Sequence, residues 1–158
     1  MTMRIGTGYD VHAFAPDRPL ILGGVQIPYE YGLAGHSDAD AVLHSVVNAL
    51  MGAAALGDIG QHFPSEDPRW KDQPSTVFLE YTRDLLEQHQ WKISNIDVMI
   101  IAQRPKLAGH SLAMREHIAK HLRLDIDQVS VKAATTDGLG FVGRREGIAC
   151  QAVALLER

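Results

Sequence analysis

Ser37-Asp38-Ala39-Asp40-Ala41-Val42-Leu43-His44-Ser45-Val46-Val47-Asn48-Ala49-Leu50-Met51-Gly52-Ala53-Ala54-Ala55-Leu56-Gly57 is the stretch on which the fold turns. Val42, Leu43, Val46, Val47, Leu50, Ala53 and Ala54 recur with the period of an α-helix, so a long helix is predicted from near Ser37 or Asp38. Ser37, with Asp40 three residues on, reads as a variant of the capping box, and Gly57 as a stop. Upstream, Arg4 to Val11 reads as a strand. Pro19 to Pro28 reads as a hairpin, in which Gly23-Gly24 supplies the positive φ of a tight turn between Leu20-Ile21-Leu22 and Val25-Gln26-Ile27. Tyr29 to Gly35 reads as a loop.

Downstream, Gly57 to Ser75 has no useful period, and a loop of that length inside a compact domain is usually functional or mobile. A second helix is expected over Thr76 to Gln90, with Phe78, Leu79, Leu85 and Leu86 buried. Ile93 to Ala102 reads as a strand, Gly109 to Leu122 as a third helix, and Val129 to Ala134 and Ile148 to Leu156 as the last strands. This order favours an α+β two-layer sandwich, a mixed sheet with helices packed on one face. The other face is left to be covered, and oligomerisation is one solution.

Length and composition fit this reading. The 158 residues suit one domain, 1–158, since domains usually run to about 100–150 residues. Apolar residues make up 46% and charged residues 22%, which argues against disorder. A net charge of −4 excludes a basic nucleic-acid module. The lone cysteine, Cys150, lies in an apolar run and is expected to be buried and inert. The start of the chain lacks the plan of a signal peptide, and no apolar stretch approaches the roughly 18 residues of a spanning helix. A cytoplasmic protein without membrane partners is expected.

Five groups of residues can carry chemistry. Asp10 and His12 share a strand face, with Val11 turned to the core. They read either as a shared metal site or as a hydrogen-bonded pair at a strand edge. Asp40 and His44 share a helix face. His44 is either a satisfied core residue or a third ligand, which with Asp10 and His12 suits zinc with one position open. Asp40 is then a candidate partner for His44. His36 and Ser37, read as lying at a helix N-terminus, suit an anion, against a surface residue and a plain cap. Gly57-Asp58-Ile59-Gly60 leads into Gln61 and His62, then Phe63, Pro64, Ser65, Glu66 and Asp67. This loop allows close backbone approach to a ligand, and equally a structural turn.

Ala102, Gln103, Arg104, Pro105, Lys106, Leu107 and Ala108 follow a strand, with Pro105 stiffening a bend where Lys106 can meet a base or phosphate. Lys132 to Arg145 has the hydroxyls of Thr135 and Thr136, the acid Asp137, three glycines and two arginines, as expected for a phosphate loop with a metal-binding carboxylate. It is not a P-loop. His117 and His121 read as a solvated face, His62, His89 and His110 have no nameable partner, and Trp70 reads as a loop anchor.

The chain resembles the 2-C-methyl-D-erythritol 2,4-cyclodiphosphate synthases from about Arg4 to Leu156. The resemblance rests on Gly8-Tyr9-Asp10-Val11-His12-Ala13-Phe14, Gly35-His36-Ser37-Asp38-Ala39-Asp40 with His44, Gly52 to Gly60, and Leu139-Gly140-Phe141 before Gly143-Arg144. It implies a cytidine diphosphate ester of methylerythritol 2-phosphate as substrate. The 2-phosphate attacks the β-phosphorus, CMP leaves, and neither water nor a protein nucleophile takes part. It further implies zinc on Asp10, His12 and His44, with a β-phosphate oxygen as fourth ligand, and a second ion, Mg2+ or Mn2+, on Asp137. His36 and Thr135 become catalytic, His36 and the Ser37 backbone holding the 2-phosphate. Asp58, Ile59, Gly60 and the Phe63 to Asp67 loop line the methylerythritol pocket. Ala102 to Ala108, with Lys132, Ala134, Thr135 and Thr136, receive cytidine and its phosphates.

The resemblance also implies a cytoplasmic or plastid-stromal homotrimer with sites between subunits. Phe141 and Arg144 then lie near an axial cavity suited to an isoprenoid phosphate. Three positions depart from the family pattern: Asp137 for Glu, Ala134 for a hydroxyl residue, and Ser65 for Asp. Two other functions fit the residues. One is a zinc-dependent phosphate-ester hydrolase with Asp40 as base, and the other is a trimeric binding protein for an isoprenoid phosphate.

Overall fold

The longest strand, β1 (Met3–Ala15), opens the computed structural model, which describes residues 1–158. It is followed by β2 (Leu20–Leu22), β3 (Val25–Ile27), β4 (Gly32–Leu33), α1 (Ala41–Ala53) and the one-turn α2 (Ile59–His62). Then come α3 (Thr76–Gln88), β5 (Lys92–Ile101), α4 (Ser111–Leu122), β6 (Val129–Ala134), the one-turn α5 (Gly140–Gly143) and β7 (Gly147–Glu157). The main sheet has the order β4-β1-β7-β5-β6, and all its pairs are antiparallel except β5 with β6. That parallel pair needs a crossover, which α4 provides. The mixed sheet and its single helix layer agree with the sequence reading. No helix is long and apolar enough to cross a membrane.

The hairpin forms as expected but stands apart from the sheet, as a two-stranded ribbon β2-β3. Leu22 pairs with Val25 across Gly23 and Gly24, whose φ values of 60° and 74° are those the two-residue turn requires. The stretch from Gly57 to Ser75 has more order than its lack of period suggests. It contains α2, capped by the Asp58 side chain, and a 3-10 turn at Pro68–Trp70, capped by Asp67.

α1 lies against β1 and β7 and buries Val42, Leu43, Val46, Val47 and Leu50 completely. Its N-cap is Asp40, whose carboxylate accepts from Leu43 N at 3.0 Å, so the expected Ser37–Asp40 capping box does not form. Asp40 is diverted because it also holds the hairpin turn. Its two oxygens accept from Gly23 N at 2.9 Å and Gly24 N at 2.7 Å. A consequence is that His36 and Ser37 lie in a loop ahead of α1 and not at its N-terminus.

Val11 was expected to face the core, yet it is 40% exposed on the helix-free face. The reason lies at Gly6 and Gly8, which occupy the helix side of β1. A Cβ on Gly8 would meet Ser45 O at 1.9 Å, and one on Gly6 would meet Ala49 O at 2.1 Å. The even-numbered residues Gly6, Gly8, Asp10 and His12 therefore face α1, and Ile5, Tyr9 and Val11 point outward. The register places Tyr9, Gln151, Met99 and Lys132 in one row of that open face, and Thr7, Val153, Asp97 and Ser130 in the next.

Burial, then the charge of Asp38, push the Asp40 carboxyl up to about 6 from an ordinary 3.8, against the N–H bonds that favour its anion. A carboxyl that holds its proton more tightly when folded stabilises below its unfolded pKa, and that contribution is lost as pH rises through the folded value. Denaturation at a series of pH values should therefore show wild type losing stability relative to Asp40→Asn from about pH 4 to about pH 6. A flat difference across that window would contradict this account of the cap.

Candidate active site

Two elements bring the expected metal ligands together. β1 supplies Asp10 and His12 two residues apart on its helix side, and α1 lays His44 over them because glycines let its backbone approach. Asp10 Oδ2 is 2.7 Å from His12 Nε2 and 3.4 Å from His44 Nδ1. One ligand atom from each residue falls within 4.8 Å of the others. The imidazoles meet edge to face, with centroids 5.4 Å apart.

The outer nitrogens decide what this cluster can bind. His12 Nδ1 is 2.7 Å from Ala34 O, an acceptor only, so Nδ1 carries the proton and Nε2 offers a lone pair toward Asp10. Asp10 Oδ2 and His12 Nε2 are both buried, and despite their approach neither has an aligned hydrogen-bond partner. Acceptors converging on one point need a cation between them, and an Asp–His–His donor set suits a zinc-like ion. The residues therefore fit a metal.

Burial works to raise the Asp10 pKa, but the facing imidazoles of His12 and His44 outweigh it and bring it below the ordinary value. Burial works to lower that of His12, and Asp10 with the Ala34 carbonyl outweighs it and raises it. Without metal, a proton on His12 answers Asp10.

His44 is held differently from expectation. The Asp40 carboxylate is occupied with the hairpin and the cap, so it does not serve His44. Instead His44 Nε2 lies 2.8 Å from Ser75 Oγ and 3.2 Å from Ser37 Oγ. Ser75 was not singled out from the sequence. It precedes α3, where serine usually caps, yet its side chain makes no cap bond, because its hydroxyl is turned to the site. Thirty-one residues separate it from His44, and no spacing rule spans that distance.

A cavity of about 260 Å3 opens beside the cluster, lined by His12, His36, Ser37, His44, Ile59, Gly60, Phe63, Ser65, Trp70 and Phe78. Its apolar wall is an aromatic group in which Phe63 packs on Phe78 at 4.4 Å and on Trp70 at 5.0 Å between centroids. Trp70 thus anchors the loop, as expected. The loop that carries His36 and Ser37 is braced by Arg18, which donates to Gly35 O and Ser37 O, both at 2.7 Å. The backbone N–H groups of His36 and Ser37 have no acceptor within the chain. Asp58 is spent on capping α2, accepting from Gln61 N, and Asp67 forms a two-pronged pair with Arg69. Pro64 and Glu66 belong to this loop without lining the cavity.

A second cavity, also about 260 Å3, is lined by Ala102 to Ala108 with Ala133, Ala134 and Thr135. Gly138 N donates to Gln103 Oε1 at 3.1 Å and ties its two loops together. Asp137, with φ 54°, accepts from Thr135 Oγ1 at 3.4 Å, and Thr136 Oγ1 donates to Leu139 O. Lys132 does not line this cavity, because it lies on the open sheet face with its ammonium on Asp97. Phe141 and Arg144 lie on and beside α5 and line neither cavity, with Arg144 on Glu146 at 2.6 Å.

β1, β5 and β6 run the same way, so the metal cluster and both loops of the second cavity share one end of the sheet. From β1 to β6 is three strand spacings, about 14 Å. No residue lines both cavities.

Two histidine readings change. His117 is no solvated residue, since its Nε2 is 2.8 Å from Thr76 Oγ1 and its ring is 4.3 Å from that of His121. Burial, then His121 and Lys120, lower its pKa. His62 does have partners, the Tyr81 hydroxyl and Leu56 O. Cys150 is fully buried, and burial pushes its thiol well above the usual range, which agrees with an inert residue.

Residues 3–157 match the model of the YgbB family. The chain is 59% identical to a 2-C-methyl-D-erythritol 2,4-cyclodiphosphate synthase of Clostridium perfringens, over 98% of this chain and 99% of that one. Among solved structures it is similar to the CDP complex of IspF from Plasmodium falciparum, with TM-score 0.86 and 36% identity over 98% of this chain and 95% of that one. It is also similar to the bifunctional IspDF of Campylobacter jejuni, with TM-score 0.90 and 41% identity. There it covers 98% of its own length and 42% of the longer chain.

Proposed function

Because the chain belongs to the YgbB family, we propose that it converts 4-diphosphocytidyl-2-C-methyl-D-erythritol 2-phosphate to the 2,4-cyclodiphosphate and CMP, a step of isoprenoid precursor biosynthesis. An oxygen of the 2-phosphate bonds to the β-phosphorus, the bond from that phosphorus to the bridging oxygen breaks, and CMP leaves with the electron pair. This is a phosphorus–oxygen lyase reaction. The observation that carries the reading is the converging Asp10, His12 and His44 set, with its unpaired inner atoms, beside a cavity whose polar wall is His36 and Ser37.

When bound on Asp10, His12 and His44, zinc supplies Lewis acidity toward the diphosphate, and Mg2+ or Mn2+ on Asp137 neutralises further phosphate charge. The protein's own task is positioning. The free N–H groups of His36 and Ser37, with the His36 ring, hold the 2-phosphate, and the Thr135 hydroxyl steadies the transferring phosphoryl group. Phe63, Trp70 and Phe78 exclude water from the methylerythritol side, so the 2-phosphate is the nucleophile left in reach. The Ala102 to Ala108 loop and Thr135 receive cytidine and its phosphates. Two separate cavities at one sheet end, and a sheet face without helices, support a homotrimer in which neighbouring copies complete each site.

A hydrolase that uses Asp40 as base finds no support, since that carboxylate is fully buried and accepts three N–H bonds. The test is incubation with the cytidine diphosphate ester, zinc and manganese, with a chelated sample in parallel. The expected result is CMP with a second product that has gained no water, abolished by chelation. A hydrated product, or no CMP, overturns the reading.

A further inference from the structure

We propose that Asp38 and Ser75 are positioning residues that set the tautomer of His44, so that its Nδ1 lone pair faces Asp10. The inference rests on the metal reading of Asp10, His12 and His44 and extends it to two residues outside that set. It follows from donor and acceptor counting. Ser75 is fully buried and its Oγ has one proton to give. The Asp38 carboxylate accepts from Ser75 Oγ, and also from Ser75 N at 3.0 Å and Asp40 N at 3.1 Å. A carboxylate has no proton to return, so the Ser75 hydroxyl donates to Asp38. It can then meet His44 only as an acceptor, and the bond at 2.8 Å runs from His44 Nε2–H to Ser75 Oγ. With Nε2 protonated, the neutral ring has its lone pair on Nδ1, 3.4 Å from Asp10 Oδ2. The opposite tautomer would aim an N–H into the point where the three ligands meet.

The backbone keeps this relay in register. Asp38 N donates to Gln73 O at 3.2 Å and Asp72 N to His36 O at 2.9 Å, which zips the Asp38 loop to the segment leading into Ser75. Ser37 Oγ, at 3.2 Å, is a weaker second acceptor for His44. Partners of this kind on a metal-bound histidine are worth about 10–100-fold in metal affinity.

The test reads the tautomer directly, by nitrogen NMR on metal-free protein labelled at histidine, above the imidazole titration range. Zinc affinity is read by competition with a chelating dye. Wild-type His44 should carry its proton on Nε2. Ser75→Ala and Asp38→Ala should each release it into a mixture of tautomers and weaken zinc by about 10-fold or more. Asp38 reaches the His44 ring through Ser75, so in tautomer and zinc affinity the double variant should be no weaker than Ser75→Ala alone. Asp38→Asn keeps an acceptor oxygen and should recover much of the loss.

A wild-type His44 protonated on Nδ1 overturns the proposal whatever the variants do. So do single variants with unchanged tautomer and affinity, and so do losses that add. If Asp38→Ala fails to fold, the wild-type spectrum and Ser75→Ala still decide. A wild-type chain that binds no zinc would sink the metal reading beneath, while the tautomer, measured without metal, would still decide this one.

Discussion

Gly8→Ala is expected to cost the fold about 3 kcal/mol or more, the upper end for overpacking, because the new methyl meets backbone and not a movable side chain. The distances decide this. The added Cβ would lie 1.9 Å from Ser45 O and 2.7 Å from Ala49 N, both on α1. A flexible side chain could rotate away, whereas a helix has to move as a body. The movement reaches the site, since Asp10 and His12 ride on β1 two and four residues further on, while His44 rides on α1 one residue before Ser45. Lifting the helix separates His44 from Asp10 and weakens metal binding along with stability.

Gly52→Ala is the matched control. Gly52 is also on α1, but its added methyl would find only Thr7 O, at an ordinary 3.9 Å. That variant should be neutral or gain up to about 1 kcal/mol from better helix propensity. Chemical denaturation of both proteins, with zinc titration of the folded fraction, checks the pair. Equal stabilities would show that the close approach of α1 to β1 does not hold the site together.

The same glycines explain what the sequence concealed. Period-two alternation along β1 was legible, and it put Asp10 and His12 on one face. Which face was core was not legible from hydropathy, because the core side at Gly6 and Gly8 consists of residues without side chains. Val11 was expected in the core and is an outward residue, as is Ile5, which is 71% exposed. α1 itself was plain from its period, but its start was not. Ser37, Asp38 and Asp40 are all good caps, and the choice fell to Asp40 through a tertiary bond to the Gly23-Gly24 turn, which no local rule reports. The three metal ligands were legible because two are neighbours in sequence and the third follows a recognisable loop. Ser75 was not, since its link to His44 exists only once α3 is packed on α1.

Asp10→Ala is expected to abolish zinc binding and to lower cyclisation by about 10³-fold or more, some 4 kcal/mol at 1.36 kcal/mol per factor of ten. Asp10 contributes the only negative charge among the three ligands, and its Oδ2 is the atom both imidazoles face. Two neutral imidazoles that remain 5.4 Å apart offer a divalent ion neither charge balance nor a third donor. The variant separates this role from a folding role through pH.

In wild type the Asp10 pKa is lowered on folding. Its contribution to the metal-free fold is therefore present above the unfolded value of 3.8 and is lost as pH falls through the folded one. The His12 pKa is raised, so its share is present below its unfolded value and fades as pH rises through the folded one. Both shares depend chiefly on the same pair, so in Asp10→Ala the first should vanish and the second should shrink. Burial, then opposed only by the Ala34 carbonyl and the charge of Asp40, should bring His12 down from its raised value. Zinc stoichiometry, the CMP release rate and the His12 titration by NMR read three consequences of one substitution. A variant that keeps one zinc per chain and wild-type turnover would place the metal, and the chemistry that depends on it, elsewhere in the molecule.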